Sequence, residues 1–451
     1  MLREHAIEIW KAGVAAVASD RLLRNAVTCD GHTLTICQGE FDLTSLNGII
    51  VLGTGKAGAG MASAVEAILS ESMTDSKITG WVNVPANCVR PLRRIVLHAA
   101  RPAGLNEPTE AGVIGTQRIL ELAQSAGRND LVIVLISGGG SALSPAPIPG
   151  ITLADKQAVT RYLMRSGASI QELNTVRKHL SLFKGGGLAR AASHARAVVT
   201  LIISDVIGDP LDVIASGPTV EDTTTAADAL AVLERFGARS PDVPESVFVS
   251  LRSESQSFAN GPTRCGVPSQ VDNHVIGNND TAVRAAFLKA AEFGYFTLPS
   301  KCDVAGEALI VGRQIADECH ALREHPLIKG VSRYCIVSGG EPIVKLVPTD
   351  QSRKGGRNQE VALAALQHLW NDSLDRIAIL SGGTDGEDGP TNAAGAVVDE
   401  PLRQAALVKG LDPGEFLAIN NSYPFFEQTG GLLLTGPTHT NVMDLRVAVV
   451  H

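Results

Sequence analysis

An apolar strand that ends in Ser-Gly-Gly occurs three times in the chain, at Ser137, Ser338 and Ser381, and a related Gly53-Thr54-Gly55 stands nearer the N-terminus. The runs leading into these glycines, Ile49–Gly53, Leu131–Ser137, Tyr334–Ser338 and Ile377–Ser381, are apolar throughout, as are most of Ile78–Val84, Val198–Ser204 and Leu432–Thr435. Strands without polar alternation are buried on both faces, and most of these are followed by a glycine turn and a helical pattern. The class predicted is α/β, with two lobes, each a mostly parallel sheet carrying helices on both faces. In open sheets of this kind ligands collect beyond the carboxyl ends of the strands. Glycine there admits backbone N–H groups, and helix N-termini favour negative charge. Four such strand ends predict anion-suited turns and an active site in the cleft between the lobes.

The 451 residues suffice for two to three domains at about 150 residues each. From Pro241 to Val271 the rhythm gives way to Pro, Ser, Gly and Asn, so the expected division is a Rossmann-like N-terminal domain over 1–240, a boundary region over 241–272 and a C-terminal α/β domain over 273–451. In the last of these, His274–Gly277 reads as a strand, and the polar Asn278-Asn279-Asp280 suits the cap of a helix over Thr281–Phe293. Lys plus Arg number 39 against 47 Asp plus Glu, a net charge of −8, which argues against a sequence-independent grip on nucleic acid or an anionic membrane. The 11 Phe, 4 Tyr and 3 Trp are few for stacking platforms. No run approaches the ~20 apolar residues of a membrane span. Glu4 and Glu8 sit inside an amphipathic N-terminal pattern that reads as a folded helix and not a signal peptide. Seven cysteines without a C-x-x-C pair indicate a reduced, cytoplasmic protein without structural zinc, and the histidines lack H-E-x-x-H or clustered spacing. The sequence leaves room for a homo-oligomer.

Gly53-Thr54-Gly55-Lys56-Ala57-Gly58 fits G-x-G-x-x-G between a strand and a helix, the context of a dinucleotide fingerprint. A dinucleotide site also asks for an acid ending the next strand, to hold the ribose, and that strand runs into Pro85-Ala86-Asn87. Lys56 inside the turn would set a cation beside bound phosphate. The turn is no P-loop, because Ala57 follows the lysine where Ser or Thr should hold magnesium. Ser137-Gly138-Gly139-Gly140-Ser141 exposes consecutive backbone donors suited to a nucleotide phosphate or a carboxylate, without the G-x-S-x-G of a nucleophile elbow. Asn174-Thr175-Val176-Arg177-Lys178-His179 and Lys184-Gly185-Gly186-Gly187 gather positive charge beside flexible backbone in an acidic protein, as an anionic substrate would require. Asp205 closes an apolar strand and Asp209 follows four residues on; such acids suit magnesium or a general base for a substrate hydroxyl. Glu341 is a further magnesium candidate. Arg357 follows Gly355-Gly356 and opens a helix running to about Leu369, where it is able to spread the charge of a transferring phosphoryl group or to pair with Glu341 or Glu360. Ser381-Gly382-Gly383-Thr384-Asp385-Gly386-Glu387-Asp388-Gly389-Pro390-Thr391 has the composition of a calcium loop without the EF-hand positions, which gives Asp385 a Mg·nucleotide or substrate-hydroxyl role.

In that order, G-T-G-K-A, S-G-G-G-S-A, N-x-V-R-K-H-L with K-G-G, S-D-V-x-G-D, S-G-G-E, G-G-R-N-Q-E and S-G-G-T-D-G-E-D-G-P-T resemble the type-2 glycerate kinase family, whose C-terminal part is the MOFRL domain. The resemblance runs from Gly53 to Val442 and implies a two-lobed α/β kinase that moves the γ-phosphoryl of ATP to D-glycerate, giving 2-phosphoglycerate, with magnesium as cofactor. The family's catalytic lysine and arginine would fall on Lys56 and Arg357. Cofactor contacts are expected from Gly53, Gly55, Ser137, Gly138, Gly139, Gly140, Ser141 and Asp385, and a base role from Asp205, with Asp205, Asp209 and Glu341 as metal candidates. His439 departs from the small residue, usually glycine, expected between the threonines of G-P-T-x-T-N-V. Two rival readings are an NAD(P)H-dependent hydroxypyruvate reductase, which rests on the single G-x-G-x-x-G match, and a non-catalytic binder of phosphorylated metabolites.

Overall fold

The computed structural model describes residues 1–70, 77–105, 107–258, 267–268, 270–300, 305–324 and 330–451. The chain forms two compact units, Leu22–Ile276 and a second assembled from Met1–Arg21 and Gly277–His451.

The unit built on Leu22–Ile276 opens with a small antiparallel sheet of β1 (Val27–Cys29), β2 (Thr33–Ile36) and β3 (Gly39–Asp42). Its main sheet holds β4 (Gly48–Thr54), β5 (Ile78–Pro85), β6 (Ile95–Arg101), β7 (Asp130–Ser137), β8 (Ala197–Ile203) and β9 (Val271–Gly277), in the order β6-β5-β4-β7-β8-β9. The ladders from β6 to β8 are parallel. Counted from β4 the order is 3-2-1-4-5-6, the Rossmann arrangement, and its direction reverses between β4 and β7. Ile50, Leu52, Val132, Val134 and Ile136 form a core with Ile119 and Leu120 of the helix Glu110–Ser125. Burying each such side chain contributes about 1.5–3 kcal/mol.

The second unit holds β10 (Phe296–Pro299), β11 (Tyr334–Gly340), β12 (Ile377–Gly383), β13 (Gly395–Asp399), β14 (Leu432–Leu433) and β15 (Asp444–Val450), ordered β10-β11-β15-β12-β13-β14. Helices cover both faces. Leu2–Ala16 and Asn279–Glu292 pack on the side of Leu445, Val447 and Val449, while Ala308–Glu324 and Arg357–His368 pack on the side of Ile336, Ile379, Ala448 and Val450. Asn278 caps the Asn279 helix, accepting from Thr281 N at 3.1 Å.

The α/β class holds, and two details differ from expectation. The mostly parallel sheet expected in the C-terminal lobe is mixed: β10–β11 is parallel, but the ladders from β11 through β15, β12 and β13 to β14 are antiparallel. The cause is the terminal run Leu445–Val450, which returns against β11 and β12 and fills the gap between them. The division also differs from 1–240, 241–272 and 273–451. Trp10 and Ile9 are buried in the core of the second unit, and Val198 N donates to Gln270 O at 3.0 Å where β9 joins the first sheet. Inside the expected boundary, Val247, Phe248 and Leu251 of the helix Glu245–Phe258 are core residues beside Leu233 and Val243. Of the seven cysteines, Cys29, Cys37, Cys88, Cys319 and Cys335 are not in disulfides, and Cys265 and Cys302 lie outside the described residues. No described helix is long and apolar enough to cross a membrane.

Candidate active site

The turns after β4 and β7 meet where the Rossmann order reverses, which is where ligands bind in open α/β sheets. They interlock. Gly55 has φ +140°, and a Cβ there would stand 2.6 Å from the Ser137 carbonyl oxygen, so only glycine fits. Lys56 N donates to Gly138 O at 2.9 Å and Ala57 N to Ser137 Oγ at 3.0 Å. Ser137 therefore holds the turns together from a fully buried position. The chain then turns through Gly138 and Gly139, the latter at φ +76°, into the short helix Gly140–Leu143. The Lys56 side chain lies over this turn, since a Cβ on Gly139 would be 3.4 Å from Lys56 Cγ and 3.8 Å from Arg101 Nη2. Arg101 closes β6 and is buried. Sequence reasoning did not single it out, although an arginine ending an apolar strand was the available signal.

Ser141 is the meeting point of the basic motifs. Arg177 Nη2 and Lys184 Nζ both donate to its Oγ, the lysine at 2.7 Å, and Lys184 also donates to Ser141 O at 2.9 Å. The hydroxyl lies 3.1 Å from Ser216 Oγ, which donates to Asn174 Oδ1 at 3.1 Å. With two cations on its lone pairs, the Ser141 hydrogen points away from them. Burial first, then the charges of Arg177 and Lys156, push the Lys184 ammonium well below the usual lysine value, and burial lowers Arg177 to about 10. Ser216 and its neighbour Ala215 both have positive φ, at 62° and 50°, a conformation that costs non-glycine residues about 1–3 kcal/mol and clusters at functional sites. Lys178, next to Arg177, turns to Asp222 at 3.5 Å and Asp212 at 3.6 Å. Arg177 and Lys184 are thus the cations on the serine, and Lys178 is paired with acids.

Asp205 and Asp209 occupy the turn after β8, both half-buried. Among the described residues no group of three or more His, Cys, Asp or Glu side chains is placed to hold a metal ion. Magnesium seldom needs one, because it keeps waters and binds through substrate phosphates plus one or two carboxylates. The Asp205–Asp209 turn fits that pattern. Glu341 Oε1 takes a hydrogen bond from Arg357 Nη1 at 2.7 Å.

Arg357 is the first residue of its helix, and a second acid holds it from below. Asp444 Oδ2 accepts from Nε at 2.7 Å and Oδ1 from Nη2 at 3.0 Å, a bidentate pair. Burial works against the Arg357 charge, but Asp444, then Glu341 and Asp388, outweigh it and keep the guanidinium firmly protonated. Asp388, also buried, accepts from Asn358 N at 3.0 Å and Gln359 N at 2.8 Å. It is the cap of the Arg357 helix. Asp385 closes its own turn, Oδ1 accepting from Glu387 N at 3.0 Å. Two of the Ser-Gly-Gly ends are not the turns expected: β11 and β12 run on through Gly340 and Gly383. Their middle glycines make room for side chains packed on the sheet, Asn279 against Gly339 and Trp10 against Gly382. His439 adopts φ +57°, the left-handed backbone that explains why a glycine was expected there.

Residues 5–252 match the model of a domain of unknown function, DUF4147, and residues 334–444 match the MOFRL family. The chain is 38% identical to a glycerate kinase of Rattus norvegicus, over 100% of this chain and 93% of that protein. It is 36% identical to a D-glycerate 2-kinase of Thermotoga maritima, over 100% and 98%. The crystal structure of a glycerate kinase from Thermotoga maritima superposes with a TM-score of 0.81 at 36% identity, covering 100% of this chain and 99% of that one. Full-length similarity at this level, with both family models in order, shows that the chain belongs to the glycerate kinase family of the DUF4147–MOFRL type.

Proposed function

We propose that the protein is an ATP-dependent glycerate 2-kinase, transferring the γ-phosphoryl of ATP to the 2-hydroxyl of D-glycerate to give 2-phosphoglycerate. The observation that carries the reading is the cationic glycine turn at the Rossmann switch point, Lys56 and Arg101 over Gly139, in a chain related over its full length to a D-glycerate 2-kinase. Gly138–Gly140 let the backbone approach the phosphates of ATP beside the turn that Gly53 and Gly55 pack against β7, and Lys56 and Arg101 neutralise them. The carboxylate of glycerate suits Arg177 and the Ser141 hydroxyl, with Lys184 beneath. Asp205 orients the attacking hydroxyl and takes its proton, so that the oxygen forms its bond to the γ-phosphorus as the bond to the β-phosphate oxygen breaks. Arg357 spreads the charge on the transferring group, an effect worth roughly 10³–10⁵ in rate where arginines act in this way. Asp205 or Asp209, together with the nucleotide, would hold magnesium, which would supply charge neutralisation on the ATP phosphates.

The test is ADP release with D-glycerate, with phosphorus NMR of the product to assign the hydroxyl. Lys56→Ala and Arg357→Ala are each expected to lower kcat by at least about 10³; near-normal turnover in either removes that residue from the mechanism. A hydroxypyruvate reductase would oxidise NADH with hydroxypyruvate, and a non-catalytic binder would melt later with phosphorylated ligand and consume no ATP. The relatives favour neither.

A further inference from the structure

The D-G-E-D-G-P-T and G-G-R-N-Q-E motifs stand about thirty residues apart, yet they meet at one carboxylate. Asp388 is 2% exposed and lies against the Gly356 backbone, where a Cβ would come within 2.5 Å of the Asp388 carbonyl carbon. Its two oxygens take the N–H groups of Asn358 and Gln359, the second and third residues of the helix that Arg357 opens. The loop behind it is tied to the same turn: Gln359 Nε2 donates to Thr391 Oγ1 at 3.1 Å, Thr391 Oγ1 to Asp388 O at 2.8 Å, and Ser381 Oγ to Asn358 Oδ1 at 2.6 Å.

We infer that Asp388 is a positioning residue for catalysis: its ionised carboxylate anchors the first turn of the helix and so fixes Arg357, and its protonation loosens that turn and lowers turnover. The inference rests on the catalytic reading of Arg357. A carboxylate accepts two N–H bonds at a helix N-terminus and complements the helix dipole, whereas a carboxylic acid turns one oxygen into a donor facing donors. The charged groups facing Asp388 are Arg357 on the helix and Asp444 at the start of β15; Glu360, one turn on, is directed to Asn420 Nδ2 at 3.0 Å. Burial, opposed by the two amide bonds and assisted by Asp444, pushes the Asp388 carboxyl up to about 7, within the range where an enzyme of this kind works.

The experiment is the pH profile of kcat, from pH 5.5 to 8.5 with saturating ATP and D-glycerate, for wild type, Asp388→Asn and Arg357→Ala. Wild type is expected to lose turnover below about pH 7, approaching tenfold per unit. Asp388→Asn keeps the shape but offers one acceptor oxygen in place of two. It should show kcat about tenfold lower at pH 8, little change in either KM, no acid limb, and a melting temperature at pH 8 no lower than wild type. The same acid limb in Asp388→Asn, or an unchanged kcat at pH 8, overturns the proposal. So does a melting temperature at pH 8 below that of wild type with kcat reduced only in proportion to the folded protein lost, which marks a structural role only. A second arm needs no substitution: hydrogen exchange at the Asn358 and Gln359 amides, corrected for intrinsic rate, should lose protection as pH falls through 7. If Arg357→Ala turns over normally while this arm behaves as expected, the reading of Arg357 has failed and the cap itself stands; constant protection overturns the cap.

Discussion

Asp444 holds Arg357 by two parallel hydrogen bonds, Nε to Oδ2 at 2.7 Å and Nη2 to Oδ1 at 3.0 Å, and it is able to do so because β15 runs backwards. An antiparallel strand placed between β11 and β12 begins at their carboxyl ends, and Asp444 pairs in register with Gly340 on one side and Gly383 on the other. Glycines flank a carboxylate that is fully buried. The third guanidinium nitrogen, Nη1, goes to Glu341, whose side chain is 47% exposed.

The two acids should therefore behave differently on substitution. Removing one partner of a buried pair strands the other charge and costs about 3–5 kcal/mol, whereas a half-exposed pair is worth about 0–1 kcal/mol. Asp444→Ala is expected to lower the melting temperature sharply and to abolish turnover. Glu341→Gln is expected to leave stability unchanged, to retain at least about half of kcat, and to lower KM for ATP if any change is seen, since a competitor for Nη1 has gone. Thermal melts and steady-state kinetics on the two variants decide it; equal effects would remove the distinction between a fixed and an exchangeable partner.

Asp388 should also mark the pH dependence of stability. Its folded-state pKa of about 7 stands above the ordinary 3.8, so between those values the folded chain holds a proton that the unfolded chain has released. The contribution of this group is most favourable at acid pH and is lost as pH rises from about 4 to about 7, by up to about 4 kcal/mol. Asp388→Asn carries no such charge. The difference in unfolding free energy, variant minus wild type, should grow in favour of the variant from pH 5 to pH 8 in urea titrations, and a difference independent of pH would contradict the raised pKa.

Lys184 repeats that pattern with the opposite sign. Its ammonium is depressed by burial and by Arg177 and Lys156, so the unfolded chain binds the extra proton, and stability from this site rises with pH from the depressed value towards the ordinary value of about 10.5. Lys184→Met fills the same volume without a charge and is expected to raise the melting temperature at pH 7. It should also raise KM for D-glycerate at least about tenfold, with KM for ATP little changed. Equal effects on both KM values would separate Lys184 from carboxylate binding.

The sequence was most informative where one strand and one turn make a feature together. Ile49–Gly53 and Leu131–Ser137 could be read as neighbouring apolar strands with glycine ends, and they are paired as Gly53 with Leu135 and Thr54 with Ile136. The helix opened by Arg357 and the cap at Asn278 were legible for the same local reason. What stayed hidden depends on long-range pairing. Nothing local in Asp444-Leu445-Arg446-Val447 says that this strand lies between Ser338 and Ser381, and so neither Asp444 nor the antiparallel core of the second sheet could be foreseen. Asp388 was visible in the motif only as one acid among three; that it caps a helix thirty residues away is decided by how the β12 loop folds back. The N-terminal helix joins the second unit for a reason that composition does not carry, the fit of Trp10 against Gly382, where Nε1 donates to Gly382 O at 3.2 Å.

The interlocked turns at the switch point leave no room for a side chain at Gly55. With φ at +140° and the Ser137 carbonyl oxygen 2.6 Å from where a Cβ would stand, Gly55→Ala has to separate the β4 turn from the β7 turn, and the hydrogen bonds Lys56 N to Gly138 O and Ala57 N to Ser137 Oγ go with it. Two lost buried bonds at about 1 kcal/mol each, with backbone strain of about 1–3 kcal/mol, give a destabilisation of roughly 3–5 kcal/mol. Gly31 provides the control: it also has a positive φ, at +94°, but a Cβ there meets nothing within 4 Å, so Gly31→Ala should cost the strain alone and keep full activity. The pair is compared by urea titration and by ADP release. A Gly55→Ala protein as active as Gly31→Ala would mean that the turn around Lys56 has no part in holding the phosphates.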